Sequence, residues 1–370
     1  MLVIDRRGAI DVARRRLASQ RLTTPGFATA AEAVRTLGAV QAQDYAGAKW
    51  ALGLRTVGLC DADIEREMTE GRILRTHVLR PTWHFVAPAD IRWMLALTAP
   101  RVTAAMAYYN RTLELTPAVF RRSNDAIAKA LAGGTQLTRT ELGTVLRRAR
   151  VGVASGQRLG HLMMQAELDA VVCSGGRRGK QFTYALLDDR APRTAALDRD
   201  QALLELTRRY FATRGPASAR DFAWWSGLAM ADVKRGLELA KLDLEQTTIG
   251  DQTVWFASSR TAAPAADGSA HLLPNYDEYF IGFKDRGAIA QRLGAARIRE
   301  AGSDVFAYLA FVDGQIVGAW KRTLQPGRVV VEVALLTRLA AAEKRAIQAQ
   351  ARRFGDFLGV NVETQLSHSR

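Results

Sequence analysis

Apolar residues recur at three- and four-residue intervals through residues 28–40 and 61–70, the spacing that lays one stripe of a helix against a core. After Gly71 the spacing changes, and residues 73–77 and 82–86 read as two short strands on either side of Arg80-Pro81. Helices followed by a two-stranded hairpin are the element order of a winged helix. The order returns twice. Thr138 and Glu141 have the spacing of a capping box that opens a helix. Residues 156–171 then carry Leu159, Leu162, Met163 and Leu168 on one side, and the basic stretch Ser174-Gly175-Gly176-Arg177-Arg178-Gly179-Lys180-Gln181 joins Val171-Val172 to Phe182-Thr183-Tyr184. A third run starts at Gly215-Pro216-Ala217-Ser218, with helices expected over 217–225 and 231–242 about Ser226-Gly227 and a hairpin over 247–256. Three units of like order suggest tandem duplication.

Past an Ala/Pro/Gly linker at 262–268 the pattern becomes strand-like. Strands are expected over 305–312 and 315–320, joined by the hairpin signal Asp313-Gly314, and over 328–335, with an amphipathic helix over 339–357. The expected fold is α+β and mainly α: three tandem winged-helix units at 1–100, 101–192 and 193–262, then a small β-rich unit at 263–370.

Charge changes this picture. The 370 residues hold 52 Lys plus Arg against 37 Asp plus Glu, a formal net charge of +15. Such an excess favours a polyanionic partner, because each phosphate neutralised releases condensed counterions; arginine-rich codon usage is the competing explanation. The two cysteines, Cys60 and Cys173, lie far apart without a CxxC partner, which excludes a disulfide framework and a thiolate zinc site. No HExxH occurs. Gly179-Lys180 is followed by Gln181, and Ser174 stands where a phosphate-binding loop needs its first glycine, so neither a metal nor a nucleotide cofactor is expected. The first residues lack an apolar signal core and no apolar run approaches membrane length, so a soluble, cytoplasmic protein without membrane contact is expected.

Four phrases together resemble one family. They are Leu37-Gly38-Ala39-Val40-Gln41-Ala42-Gln43, Arg80-Pro81-Thr82-Trp83-His84, Gly215-Pro216-Ala217 with Trp224-Trp225-Ser226-Gly227, and Leu272-Leu273-Pro274-Asn275-Tyr276-Asp277-Glu278-Tyr279 through Gly282-Phe283-Lys284-Asp285-Arg286. In this order, over nearly the whole length, the chain is similar to the AlkZ/YcaQ family of winged-helix DNA glycosylases. The resemblance implies three winged helices and a C-terminal β-barrel-like domain curving around a DNA-sized channel, and removal of bulky N7-alkylguanine lesions, interstrand crosslinks included. The family's catalytic element, a glutamine, an apolar residue, then glutamine or aspartate, maps onto Gln41-Ala42-Gln43. Two glutamines resemble the AlkZ-like branch, whose relatives include self-resistance enzymes of producers of DNA-alkylating antibiotics.

The chemistry fits that implication. An N7-alkylated guanine is cationic and leaves without much help from a general acid. What remains is to stabilise an oxocarbenium-like sugar and deliver water to C1′. A glutamine carbonyl can accept from that water and its amide can donate to sugar or phosphate. Residues i and i+2 share a face only in extended backbone, so the helix beginning near Ala28 should end at or just before Gln41. Without the resemblance, Gln41-Ala42-Gln43 would read as a solvated helix end.

Asp44 is a candidate base or DNA contact. Arg80, Thr82 and His84 alternate along the expected strand and read as a polar row beside the channel, with Arg80 on a phosphate, or else as a strand edge with His84 bonded to a carbonyl. Arg177, Arg178, Lys180 and Gln181 are expected on the DNA backbone. His77 and His161 read as core histidines. The segment Asp277, Tyr279, Lys284, Asp285 and Arg286 reads as a junction whose charges pair with one another. Lys49 is the nearest candidate for a lysine nucleophile, although a monofunctional, metal-independent enzyme acting as a monomer on duplex DNA is the preferred reading. A crosslinked guanine is tied to both strands, so an open concave surface with a hairpin wedge is expected instead of a deep base pocket. The rival reading is a winged-helix transcriptional regulator without catalytic activity.

Overall fold

The computed structural model describes residues 6–193, 195–257, 268–293 and 308–368. After a first helix, α1 (Arg6–Ser19), one topology occurs three times. Its first instance runs α2 (Ala30–Leu37), β1 (Ala39–Gln41), α3 (Tyr45–Arg55), α4 (Asp61–Thr69), β2 (Leu74–His77) and β3 (Trp83–Val86), with β3 at the centre of a three-stranded sheet. Two connecting helices follow, α5 (Ile91–Ala105) and α6 (Ala107–Thr112). The second instance is α7 (Pro117–Leu131), β4 (Leu137–Thr138), α8 (Arg139–Arg148), α9 (Gly156–Leu168), β5 (Val172–Ser174) and β6 (Thr183–Leu186), again with the last strand central. A short α10 (Leu187–Arg190) leads to the third: α11 (Arg199–Arg214), α12 (Ala219–Ser226), α13 (Met230–Leu239), β7 (Leu244–Ile249) and β8 (Gln252–Ala257). Here the first strand is reduced to a bridge between Ala217 and Trp255.

Local chemistry sets many of these boundaries. Thr138 accepts from the Glu141 amide while Glu141 reaches back to the Thr138 amide, the reciprocal cap expected from their spacing. Helix α2 stops at Gly38, whose φ of +81° costs a glycine little, and the chain is extended by Ala39, as the Gln-Ala-Gln geometry requires. The residues of the Arg80-Pro81-Thr82 segment differ from expectation. They lie in the turn between β2 and β3, not on a strand, so Arg80, Thr82 and His84 do not form one strand face.

The C-terminal part is an open sheet, not a closed barrel. Its strands β9 (Ala270–Leu273), β10 (Tyr308–Val312), β11 (Gln315–Gln325), β12 (Arg328–Leu335) and β13 (Asn361–His368) lie in the order β13-β12-β11-β10-β9. Asp313 (φ +49°) and Gly314 (φ +71°) make the β10–β11 turn, the backbone that a two-residue hairpin needs. Helix α15 (Ala341–Leu358) crosses over to place β13 parallel to β12, a strand that was not expected from the sequence. A one-turn helix, α14 (Glu278–Ile281), follows β9. The linker at 262–267 and the first three residues of the expected strand at 305–312 lie outside the described residues.

Among the described residues there are three hydrophobic cores, and two of them cross the sequence units. One joins α1–α4 to β9–β12 and α15, with Trp50 against Phe354 and Phe357. A second joins β2, β3 and α5 to the third unit around Tyr210, Phe211, Phe222 and Trp225. The third is confined to the second unit. Among the described residues no helix is long and apolar enough to cross a membrane.

Candidate active site

Strand β1, in the first unit, is reached by Arg214 of the third unit and Glu278 of the C-terminal unit. Gln41 is 93% buried and pairs in register with His84, and the Ala42 amide donates to the Trp83 carbonyl at 2.7 Å, extending the pairing past the strand end. The Gln41 side-chain carbonyl accepts from the Arg80 guanidinium at 2.7 Å, which fixes the orientation of its amide. Gln43, exposed, accepts from the Trp83 amide at 3.4 Å. Arg80 also donates to the Trp224 carbonyl at 3.2 Å, so one guanidinium brackets the glutamine and the third unit. Its loop is held by Leu79 in the left-handed region (φ +64°), with Leu79 O against Gly227. A Cβ at Gly227 would stand 2.3 Å from that oxygen.

Residues that the sequence did not single out hold the strand's backbone. Glu278, fully buried at the start of α14, accepts from the Gln41 amide at 2.9 Å through one oxygen. Its other oxygen takes Arg214 at 2.6 Å and the Trp225 indole at 2.8 Å. Arg214, equally buried, donates to the carbonyls of Leu37 at 2.9 Å and Ala39 at 3.1 Å. Arg75 donates to the Ala42 carbonyl at 3.1 Å while its guanidinium lies 4.2 Å from the Trp83 ring and 4.7 Å from that of Phe182. Buried ions survive only when paired and bonded, and here the pairing partners come from elements distant in sequence. Glu278 follows Asn275, Tyr276 and Asp277, and no local pattern there marks it as a buried ion.

The remaining candidates separate into those near β1 and those spent elsewhere. Asp44 caps α3: one oxygen accepts from the Gly47 amide at 3.0 Å and the other takes the Tyr308 hydroxyl. The Thr82 hydroxyl is buried without a hydrogen-bond partner among the described residues. His84 is wholly buried, not surface-facing. Its Nδ1 donates to the Thr82 carbonyl at 2.9 Å, its Nε2 has no partner among the described residues, and burial, reinforced by the Arg80 charge, holds it well below the usual histidine range and therefore neutral.

Arg177 is not free on its loop. It reaches Glu65 at 3.4 Å and lies over the rings of Tyr45 (5.2 Å) and Phe182 (5.3 Å), closing the first unit onto the second. Arg178 bonds to Glu141 and to the Gln136 carbonyl, both at 2.8 Å, but keeps half its side chain exposed. Lys180 and Gln181 are exposed at the loop tip, where the backbones of Arg178 and Gln181 bond to each other.

Lys49 is buried between Asp61 and Glu65, 2.8 Å from each, so its amine is committed as a donor to both carboxylates. Burial pushes the Glu65 carboxyl up, but the bond and charge of Lys49 outweigh it and hold it below the usual range. His77 is buried against Trp83 with Glu167 at its Nδ1. His161 departs from expectation: it is half-buried and bonded to Asn110 at 2.7 Å. The junction charges also pair outward. Asp277 forms a two-pronged bridge to Arg55 at 2.8 Å, Asp221 accepts from the amides of Lys284 and Asp285, and the buried Tyr279 hydroxyl donates toward α1 and Gly314. Among the described residues no group of three His, Cys, Asp or Glu side chains is placed to hold a metal.

A family model described as DNA glycosylase AlkZ-like matches residues 34–357. A relative from Streptomyces sahachiroi, an interstrand DNA cross-link repair glycosylase, is 26% identical over 312 residues, 79% of this chain and 82% of the relative. The solved structure of Streptomyces sahachiroi DNA glycosylase AlkZ is similar with a TM-score of 0.80 and 22% identity, over 99% of this chain and 100% of that one.

Proposed function

The chain belongs to the AlkZ-like DNA glycosylases, and from that premise we propose that it hydrolyses the N-glycosidic bond of bulky N7-alkylguanine in duplex DNA without a metal, unhooking interstrand crosslinks among its substrates. Self-resistance to a DNA-alkylating natural product is the physiological role that such a substrate suggests. The thrice-repeated topology is read as three winged helices, in units 1–100, 101–192 and 193–262, carried on the C-terminal sheet unit 263–370, and working as a monomer.

The observation that carries the proposal is the bracketing of Gln41 by Arg80 on an extended strand, with Gln43 two residues on and exposed. A carbonyl oxygen has two acceptor sites. Arg80 takes one on Gln41, and the second is the acceptor for the attacking water. Gln43, at the surface, orients that water or donates its amide to the sugar or phosphate. The departing base is already cationic, so no acid is required; holding water and C1′ in one geometry lowers the barrier by several kcal/mol.

Asp44, tied to Gly47 and Tyr308, acts as a cap and not as the base. Lys49, tied to two carboxylates, is not a nucleophile, which favours a monofunctional enzyme. His84 and Thr82 support the strand from beneath, and Arg178, Lys180 and Gln181 meet the phosphate backbone.

The test is base release from duplexes carrying N7-methylguanine or an N7–N7 interstrand crosslink, with chelator present, beside a Gln41→Ala, Gln43→Ala variant. The expected outcome is release that the variant loses by about a hundredfold or more, the scale of removing a positioned transition-state contact, with DNA affinity retained. Tight binding to one DNA sequence with no base release would make the protein a regulator.

A further inference from the structure

Beside Arg80 the third unit, together with Lys284 of the C-terminal unit, presents a groove of about 520 Å³ lined by Arg220, Ala223, Trp224, Met230, Lys234 and Lys284. Most other cations of that unit are ion-paired. Arg199, Arg208 and Arg235 are each ion-paired, with Asp232, Asp243 and Asp200. Among the described residues, Arg220, Lys234 and Lys284 have no such partner, and no acid lines the groove. The nearby Asp221 carboxylate is committed to Ser218 and to the amides of Lys284 and Asp285.

Between these cations stand two of the few large apolar side chains left exposed, Trp224 at 45% and Met230 at 41%. Trp224 is anchored at both ends. Its indole donates to the Ile281 carbonyl at 3.1 Å, and its own carbonyl accepts from Arg80. An aromatic ring whose polar edge is already satisfied, held still and exposed, is a preorganised stacking plate. Three unpaired cations around it select an anion that carries a flat apolar group. The volume falls within the range of about 300–1,000 Å³ typical of small-ligand sites.

The geometry points to a nucleotide-binding groove that receives one nucleotide unstacked from the duplex beside or opposite the lesion, its base on Trp224 and its phosphates on Lys234, Lys284 and Arg220. The inference rests on the glycosylase reading in one respect: Arg80 donates both to the Trp224 backbone carbonyl and to Gln41, so one side chain links the residue that carries the plate to the residue proposed to hold the water. A base still paired and stacked in a helix shows the plate only its edge, so stacking on Trp224 requires displacement. The crosslinked guanine is tied to both strands, but its neighbours and its pairing partner are not. Capturing one of them opens the duplex at the point where water must reach C1′.

The experiment compares binding to a duplex with one unpaired 2-aminopurine nucleotide against the same duplex fully paired, following anisotropy and 2-aminopurine fluorescence. The native protein is expected to prefer the unpaired duplex and to quench 2-aminopurine on binding. Trp224→Ala should abolish the quench and lose about 5- to 150-fold in affinity for the unpaired duplex, the measure of one base–aromatic stack, with affinity for the paired duplex little changed. Trp224→Phe should retain most of both, which separates stacking from misfolding. Lys234→Ala with Lys284→Ala should weaken both duplexes alike and shallow the salt dependence. Equal losses on both duplexes for Trp224→Ala, or an unquenched probe with the native protein, would overturn the inference. Because the readouts are binding and stacking, its failure leaves base release untouched, and failure of base release leaves these readouts unchanged.

Discussion

Burial decides the charge of two histidines, and the consequence is measurable. His271 on β9 donates from Nε2 to the Leu22 carbonyl at 3.0 Å, and burial pushes its titration down to about 4; His84 moves in the same direction beside Arg80. In the unfolded chain both titrate near the usual value of about 6.5. Below that pH the unfolded chain binds protons that the folded chain refuses, so stability is full above about pH 6.5 and falls as the pH drops. For His271 alone the loss reaches about 2 kcal/mol by about pH 5, before most carboxylates titrate. Urea midpoints measured from pH 7.5 to 5 should fall accordingly, and His271→Gln should flatten part of that slope; an unchanged slope would assign the acid sensitivity to other groups.

At the scale of elements, the decisive contact is between α14 and β1. Strand β1 is three residues long, too short to be held by its ladder alone, and the buried Arg214–Glu278 pair grips it through the Gln41 amide and the Leu37 and Ala39 carbonyls. Glu278→Ala leaves Arg214 buried and uncompensated, and should cost about 3–5 kcal/mol in denaturant unfolding. Glu278→Gln keeps an acceptor for the Gln41 amide but weakens the hold on Arg214. It is expected to slow single-turnover base release while leaving DNA affinity within twofold of the native value. A Glu278→Gln enzyme with native turnover would show that the pair stabilises the fold without positioning the glutamine.

Over the whole molecule, the net charge of +15 is unevenly committed. In the loop after β5, Arg177 is consumed by Glu65 and two aromatic rings, whereas Arg178 keeps half its side chain exposed and Lys180 stands at the tip. Removing Arg178 and Lys180 together should reduce the salt-dependence slope of duplex binding by up to about 1.8, or about 0.9 for each phosphate left without its cation. Arg177→Ala should instead lower thermal stability and leave the slope unchanged. If Arg177 carried the slope, the packing between the first two units would have to open on DNA.

The repeated order of helices and hairpins, the Thr138–Glu141 cap, the Asp313-Gly314 turn and the end of α2 before Gln41 were all legible in the sequence, because each depends on residues within a few positions of one another. The family phrases contain Gln41, Gln43 and Arg80, the residues on which the proposed function rests, and the structure joins Gln41 to Arg80. Strand β13 was not legible: its partner is reached only across α15, and its half-buried face carries just two apolar residues, Val362 and Leu366, either side of Thr364. Nor were Glu278 and Arg214, which meet β1 across separations in sequence such as the 237 residues from Gln41 to Glu278. A buried charge looks like an error in a local pattern until its partners are known, and those partners are set by which surfaces pack. The open sheet in place of a barrel, the burial of His84 and the capture of Arg177 by Glu65 have the same origin. Local periodicity and turn chemistry are short-range and specify elements, whereas desolvation and pairing act between elements, and only the tertiary structure decides which groups they bring together.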